Sequence, residues 1–321
     1  MNKQLLKVLR IVLPLGLGIA LAWYSIKLLG DDGFSQVIST LKTADPLWIA
    51  ISLSFALLSH ISRAYRWKFM LEPLGYTPKL KNSFAAVMIA YFVNTFVIRA
   101  GEIMRGVVIS KTEKIPFEKA FGTIVSERIA DLIMLILIMT IAVILQSTSL
   151  IDYFFKEDVN PLPSILALLA LLTIGVVGLR ILKQSKHPLI IKVRDFGLGV
   201  LEGVKSILYM KKNGAFILHT LFIWTMYIMM FWVMKFTVPG IASAPLGVIL
   251  AAFVVGAFSM SASNGGLGAY PIGMAAIFTF FGYEEGAIFG WIIWGIQTLF
   301  NIVVGGSCGL LFLIRTRTFK F

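Results

Sequence analysis

Three short stretches carry residue types and spacings that could do chemistry. In residues 94–105, NTFVIRAGEIMR, the charges of Arg99, Glu102 and Arg105 recur at three-residue steps, which brings them close to one face of a helix. Two arginines around one glutamate leave net positive charge, and a guanidinium fork suits phosphate or carboxylate. With Asn94 they are candidate ligands for an anionic headgroup. The same residues also read as an Arg–Glu pair pinning a turn, with Arg105 snorkelling to the surface.

The second stretch, residues 121–136, FGTIVSERIADLIMLI, holds Glu127, Arg128 and Asp131. Glu127 and Asp131 share a face at i, i+4. Inside an apolar helix such charges are costly and take partners; Arg99, Arg105 and Arg128 are the expected ones. The trio reads as a buried ion-pair network or, equally, as a proton or cation relay, since a carboxylate there has a movable pKa. In the third stretch, residues 258–276, Asn264, Gly265, Gly266 and Gly268 precede Pro271. The glycines permit positive φ and close backbone approach, and a helix start offers free N–H groups to an anion. Tight helix packing is the competing use of small residues.

The elements that position these groups follow from composition. Of 321 residues, 58% are hydrophobic and 14% charged, with a mean hydropathy of +0.87, far more apolar than a soluble domain. The predicted fold is all-α and polytopic, a single transmembrane domain over 1–321. Six segments are long enough to span a bilayer: about 8–29, 46–70, 119–145, 163–182, 213–236 and 286–314. The first has a basic start and a long apolar run without a small-residue cleavage site, and reads as an uncleaved helix. Two further apolar regions, 82–110 and 246–281, are interrupted in mid-course, the first at Gly101.

The net charge of +13 reads as cytoplasmic lysine and arginine rather than as a nucleic-acid surface. Bases cluster before the first helix (Lys3, Lys7, Arg10), after the second (Arg63, Arg66, Lys68, Lys79, Lys81), over 183–212 and at the end of the chain. The intervening loops are acidic, with Asp31, Asp32 and Asp45, then Asp152, Glu157 and Asp158, then Glu284 and Glu285. Both termini are therefore expected in the cytoplasm, in a cytoplasmic membrane. Region 82–110 then enters and leaves from inside, and 246–281 from outside, as two oppositely directed re-entrant hairpins. Pro46 and Asn213, Gly101 and Gly266, and Lys119 and Glu285 are each separated by about 166 positions. That offset predicts an inverted repeat, 46–145 and 213–314, of the kind that brings broken elements together around a transporter's substrate.

Residues 183–212 repeat apolar side chains at three- and four-residue steps among bases. They read as an interfacial amphipathic helix on the inner leaflet or as a helix packed on the cytoplasmic ends of the spans. Arg63, Arg66, Trp67 and Lys68 read as an interface anchor. His60 reads as a core residue, and Gln297 and Asn301 as helix glue or cavity lining. His60, His187 and His219 lie far apart, so no metal-ligand set is expected, and no cofactor either. Cys308 is the single cysteine, so no internal disulfide forms.

The motifs NTFVIRAGEIMR, SERIAD and GGLGAYP, with RAYRW upstream, resemble the flippase-like membrane proteins related to the transmembrane region of lysylphosphatidylglycerol synthase. The resemblance spans about 46–314. It departs from the family pattern at Val97 and Ile98, where proline and glycine are common, and at Tyr270 and Pro271, where a glutamate often stands. The resemblance implies movement of phospholipid headgroups across the cytoplasmic membrane. Some relatives carry a fused aminoacyl-transferase domain; none is visible in these residues, so synthase activity is not expected. By this reading Arg99 and Arg105 bind phosphate, Glu102 and Asp131 orient or couple, and the 265–268 turn closes the site. The runner-up is a non-transporting accessory to a lipid-modifying enzyme, and the third reading a membrane transferase with Glu127 or Asp131 as base.

Overall fold

A computed structural model describes residues 16–97, 99–146, Ile191 and 210–318. All ordered elements among them are helical: α1 (16–27), α2 (Gly33–Thr43), α3 (Pro46–Leu71), α4 (Leu80–Phe96), α5 (Ala100–Glu113), α6 (Phe117–Leu145), α7 (Asn213–Met234), α8 (Leu246–Ala262), α9 (Ala269–Phe280) and α10 (Gly286–Thr318). Among the described residues, four helices are long and apolar enough to cross a membrane: Pro46–Leu74, Phe117–Leu145, Asn213–Thr237 and Gly286–Thr316. The chain is a multi-pass helical membrane protein. The expected span at 163–182 and nearly all of the amphipathic segment lie outside the described residues, as do residues 8–15 of the span 8–29.

The starts and breaks of these helices have local causes. Asp45 caps α3 by accepting from the Leu47 N–H at 2.8 Å, with Pro46 in the first turn, where its missing N–H costs nothing. Between α4 and α5 the helical path is interrupted, with Val97 extended and Arg99 in the left-handed region. Gly101, expected to be the breaker, instead sits in the first turn of α5. There its missing Cβ leaves room for the Ala90 carbonyl and the Asn94 side chain, so close approach is its role. The Asn94 Oδ1 accepts from the Gly101 N–H at 2.7 Å, satisfying one of the otherwise free donors at the helix start.

Among the described residues α3 and α7 share the most extensive helix–helix contact, and they run antiparallel. Ser52 Oγ donates to the Met230 carbonyl at 3.1 Å, Ser62 Oγ meets His219 Nδ1 at 2.8 Å, and Lys212 Nζ donates to Glu72 at 2.8 Å. The remaining elements gather around this axis in matching fashion: α4 packs on α5 and α10, while α8 packs on α9 and α6.

The two short pairs each double back. α4 and α5 hold 17 and 14 residues, about 26 and 21 Å of helix, short of the ~30 Å hydrocarbon core. Glu113, at the end of α5, accepts from the Lys79 N–H at 3.0 Å and from Asn82 Nδ2 at 2.6 Å, beside the start of α4. Likewise Glu285, after α9, accepts from the Gly240 N–H, before α8, at 2.8 Å. At their far ends the two pairs meet. Asn264 Nδ2 donates to the Phe96 carbonyl at 3.1 Å, and Gly265, in the left-handed region at φ 56°, lies against Thr95. A Cβ at Gly268 would run into the α1 backbone at Leu21 and Ala22. Close packing, the competing use read for these glycines, is therefore realised at 265 and 268.

Candidate functional site

The site is a buried ion cluster built on α3, α5 and α6. Each helix contributes from one stripe: Arg63 and Arg66 from α3, Arg105 from α5, and Glu127, Arg128 and Asp131 from α6. Glu127 is fully enclosed. Arg63 donates to it directly, Arg105 Nη2 donates to its Oε2 at 2.9 Å, and Arg66 Nη2 lies 3.1 Å from its Oε1. Asp131 takes Arg63 at 3.0 Å and Arg66 at 3.4 Å. Arg128 completes the cluster, 3.5 Å from Glu127 and 3.6 Å from Asp131.

Aromatic and hydroxyl groups hold the guanidinium groups in place. Arg105 stacks over the Trp67 ring at 4.1 Å, and the Trp67 indole N–H donates to Thr123 Oγ1 at 2.8 Å. Arg66 lies over Phe216 and donates to Thr220 Oγ1 at 2.7 Å. Such cation–π contacts strengthen when desolvated.

Four guanidinium groups face two carboxylates in the cluster and a third, Glu102, at the cavity wall, leaving one positive charge in surplus. A buried charge is expensive unless paired, so the surplus itself calls for an anion. The cluster opens onto a cavity of about 50 Å³, lined by Arg63, Val87, Ala90, Tyr91, Asn94, Glu102, Arg105 and Arg128. By volume it holds about three waters and suits the oxygens of one phosphate. The Nε–H groups of Arg63 and Arg105, and Glu102 Oε2, are enclosed with no partner among the described residues. Arg128 stands at the rim, its side chain 46% exposed, on a stripe shared with the exposed apolar Val125 and Leu132.

Several expected ligands take these places and others do not. Asn94, Glu102 and Arg105 line the cavity, and Glu127, Arg128 and Asp131 form the network. Arg99 does not join them: it is exposed at the tip, capping α5 from the left-handed region at φ 58°, and makes no ion pair among the described residues. Arg105 is buried and paired rather than snorkelling. Asn264, Gly265, Gly266 and Gly268 lie at the tip contact, outside the cavity lining. Arg63 and Arg66, read as an interface anchor, are 3% and 0% exposed and supply half the guanidinium groups. Their signal was present: Ser52, Ser59, Ser62, Arg63 and Arg66 recur at helical spacing along one buried face of α3. No group of histidines, cysteines and carboxylates able to hold a metal occurs among the described residues.

Comparison with known proteins agrees with this architecture. The family model described as Lysylphosphatidylglycerol synthase TM region matches residues 11–306. A UPF0104 membrane protein of Methanocaldococcus jannaschii is 32% identical over 31% of this chain and 30% of its own length. Glycosyltransferase AglD of Haloferax volcanii is 33% identical over 31% of this chain and 16% of its own length. The chain thus matches under a third of either relative. No solved structure matches.

Proposed function

From a chain that belongs to the lysylphosphatidylglycerol synthase transmembrane-region family, we propose a lipid translocase that binds an anionic headgroup in the arginine-lined cavity. The observation that carries this reading is the surplus of guanidinium over carboxylate around an open cavity. Arg63, Arg105 and Arg128 hold phosphate oxygens through directed N–H groups. Glu127 and Asp131 orient those arginines and temper their repulsion, and Asn94 and Glu102 line the remaining wall. Arg128, beside exposed apolar side chains, suits a headgroup whose tails remain in the bilayer.

Alternating exposure follows from an inverted repeat, 46–145 and 213–314, with two re-entrant hairpins. Three features support it. α3 and α7 are antiparallel partners, the packing of α4 on α5 and α10 is mirrored by α8 on α9 and α6, and each short pair closes at its mouth on a glutamate, Glu113 or Glu285. The contact of Asn264 and Gly265 with Thr95 and Phe96 is then the gate between the halves. In this reading both termini are cytoplasmic, in a cytoplasmic membrane. Purified protein in vesicles should move fluorescent phosphatidylglycerol to the quencher-protected leaflet, and Arg105→Gln should stop it; movement by the variant at the wild-type rate sinks the proposal.

The short match to a relative named as a glycosyltransferase favours a second reading. The chain would then be a membrane accessory to a lipid-modifying enzyme, copurifying with it and moving no lipid. Turnover of a lipid substrate by the pure chain would instead make it a transferase.

A further inference from the structure

A second group of enclosed polar atoms lies around α4 from the charged cavity. On α10, Gln297 and Asn301 are one turn apart and share a face. Gln297 Nε2 and Asn301 Oδ1 are both enclosed without a hydrogen-bond partner among the described residues, and so are Asn264 Oδ1 and His60 Nδ1. Asn264 and His60 are only 4% and 5% exposed. Helix glue would pair Gln297 Nε2 and Asn301 Oδ1; among the described residues neither has a partner, and buried polar groups are seldom left so without a reason.

Contacts on either side fix where the α10 face lies. Gly305 lies against the Met88 carbonyl and Phe92, while Trp294 Nε1 donates to the Gly265 carbonyl at 2.7 Å. Gly265 in turn touches Thr95. The stretch of α10 holding Gln297 and Asn301 therefore runs beside residues 91–95 of α4. Phe300, on the same stretch, stacks on His60 with centroids 6.1 Å apart, and His60 packs at a tilt against Tyr91 at 4.5 Å. Tyr91 also lines the charged cavity, so it borders both sites.

We propose that Gln297, Asn301 and Asn264 form a neutral subsite for a hydroxyl-rich group, a polyol or glycosyl unit, of the lipid whose phosphate sits among the arginines. The inference rests on the lipid-binding reading above. Carboxamides offer both donors and acceptors, as hydroxyls do, and the aromatic rings beside them cover the apolar face of a sugar or cyclitol. Gln297, Asn301 and Asn264 themselves bring no charge that would answer an ammonium or a second phosphate. A site built to pair with hydroxyl groups rejects an analogue that lacks them.

The test measures transbilayer movement of fluorescent phosphatidylinositol and fluorescent phosphatidic acid by the full chain in vesicles. The wild type is expected to favour phosphatidylinositol by about tenfold or more. The double variant Gln297→Leu/Asn301→Leu should bring phosphatidylinositol down to the phosphatidic acid rate and leave the latter unchanged. Should that variant fail to insert, Gln297→Met, of similar shape, is read the same way. Equal wild-type rates, or a variant that slows both lipids alike, overturn the subsite while leaving the phosphate site standing. If the wild type moves neither lipid, or Arg105→Gln moves both normally, the lipid reading fails and the subsite falls with it.

Discussion

Arg105 and Glu127 meet at 2.9 Å across 22 positions of chain, with side chains 3% and 0% exposed. Glu127 serves three further arginines, so it is the group whose loss leaves most charge uncompensated. Glu127→Gln is expected to destabilise the protein by about 3 kcal/mol or more. Thermal unfolding in detergent measures it; a melting curve unchanged from wild type would contradict the network's role.

Removing an arginine has the opposite asymmetry, because positive charge is already in surplus. Arg105→Gln still leaves Glu127 three arginines, so it should cost less than Glu127→Gln, about 1–2 kcal/mol. Its affinity for anionic lipid, however, should fall by about tenfold, the loss of one charge-assisted hydrogen-bond set. Titration of the purified variant with short-chain phosphatidylglycerol gives the affinity. The two variants thus separate stability from binding.

Arg99 holds a backbone conformation that costs a residue with a Cβ about 1 kcal/mol and glycine almost nothing. Arg99→Gly should therefore raise the stability slightly or leave it unchanged, and should keep lipid affinity. A tenfold loss of affinity would return Arg99 to the binding site.

Gly101 is confined by the Ala90 carbonyl and the Asn94 side chain. Gly101→Ala forces α4 and α5 apart and displaces the Asn94 cap, at a cost of about 2 kcal/mol. The melting temperature tests this, and a rise, as expected for alanine in an unconfined helix, would contradict the close approach.

The long spans were legible because twenty-odd apolar residues in a row admit few other fates, and α3, α6, α7 and α10 fall close to their expected limits. The acidic pair Glu127 and Asp131 was legible too, since an i, i+4 pair inside an apolar helix must find partners. Which partners was not. Arg63 and Arg66 share a hexapeptide with Tyr65, Trp67 and Lys68, the composition of an interfacial anchor, and only the rotation of α3 against α6 and α7 decides that they turn inward. Arg99 is the reverse case. Its three-residue spacing to Glu102 assumed one continuous helix, and the helical path is interrupted between Phe96 and Ala100, which sets Arg99 apart from the face that Arg105 shares with the cavity.

The central claim is that the surplus guanidinium groups at the cavity bind a lipid phosphate. Native mass spectrometry of the chain with phosphatidylglycerol tests it most directly, comparing wild type with Arg105→Gln/Arg128→Gln. The account predicts a bound lipid on the wild type and at least about tenfold weaker retention on the double variant. Equal retention by both would show that the lipid sits elsewhere.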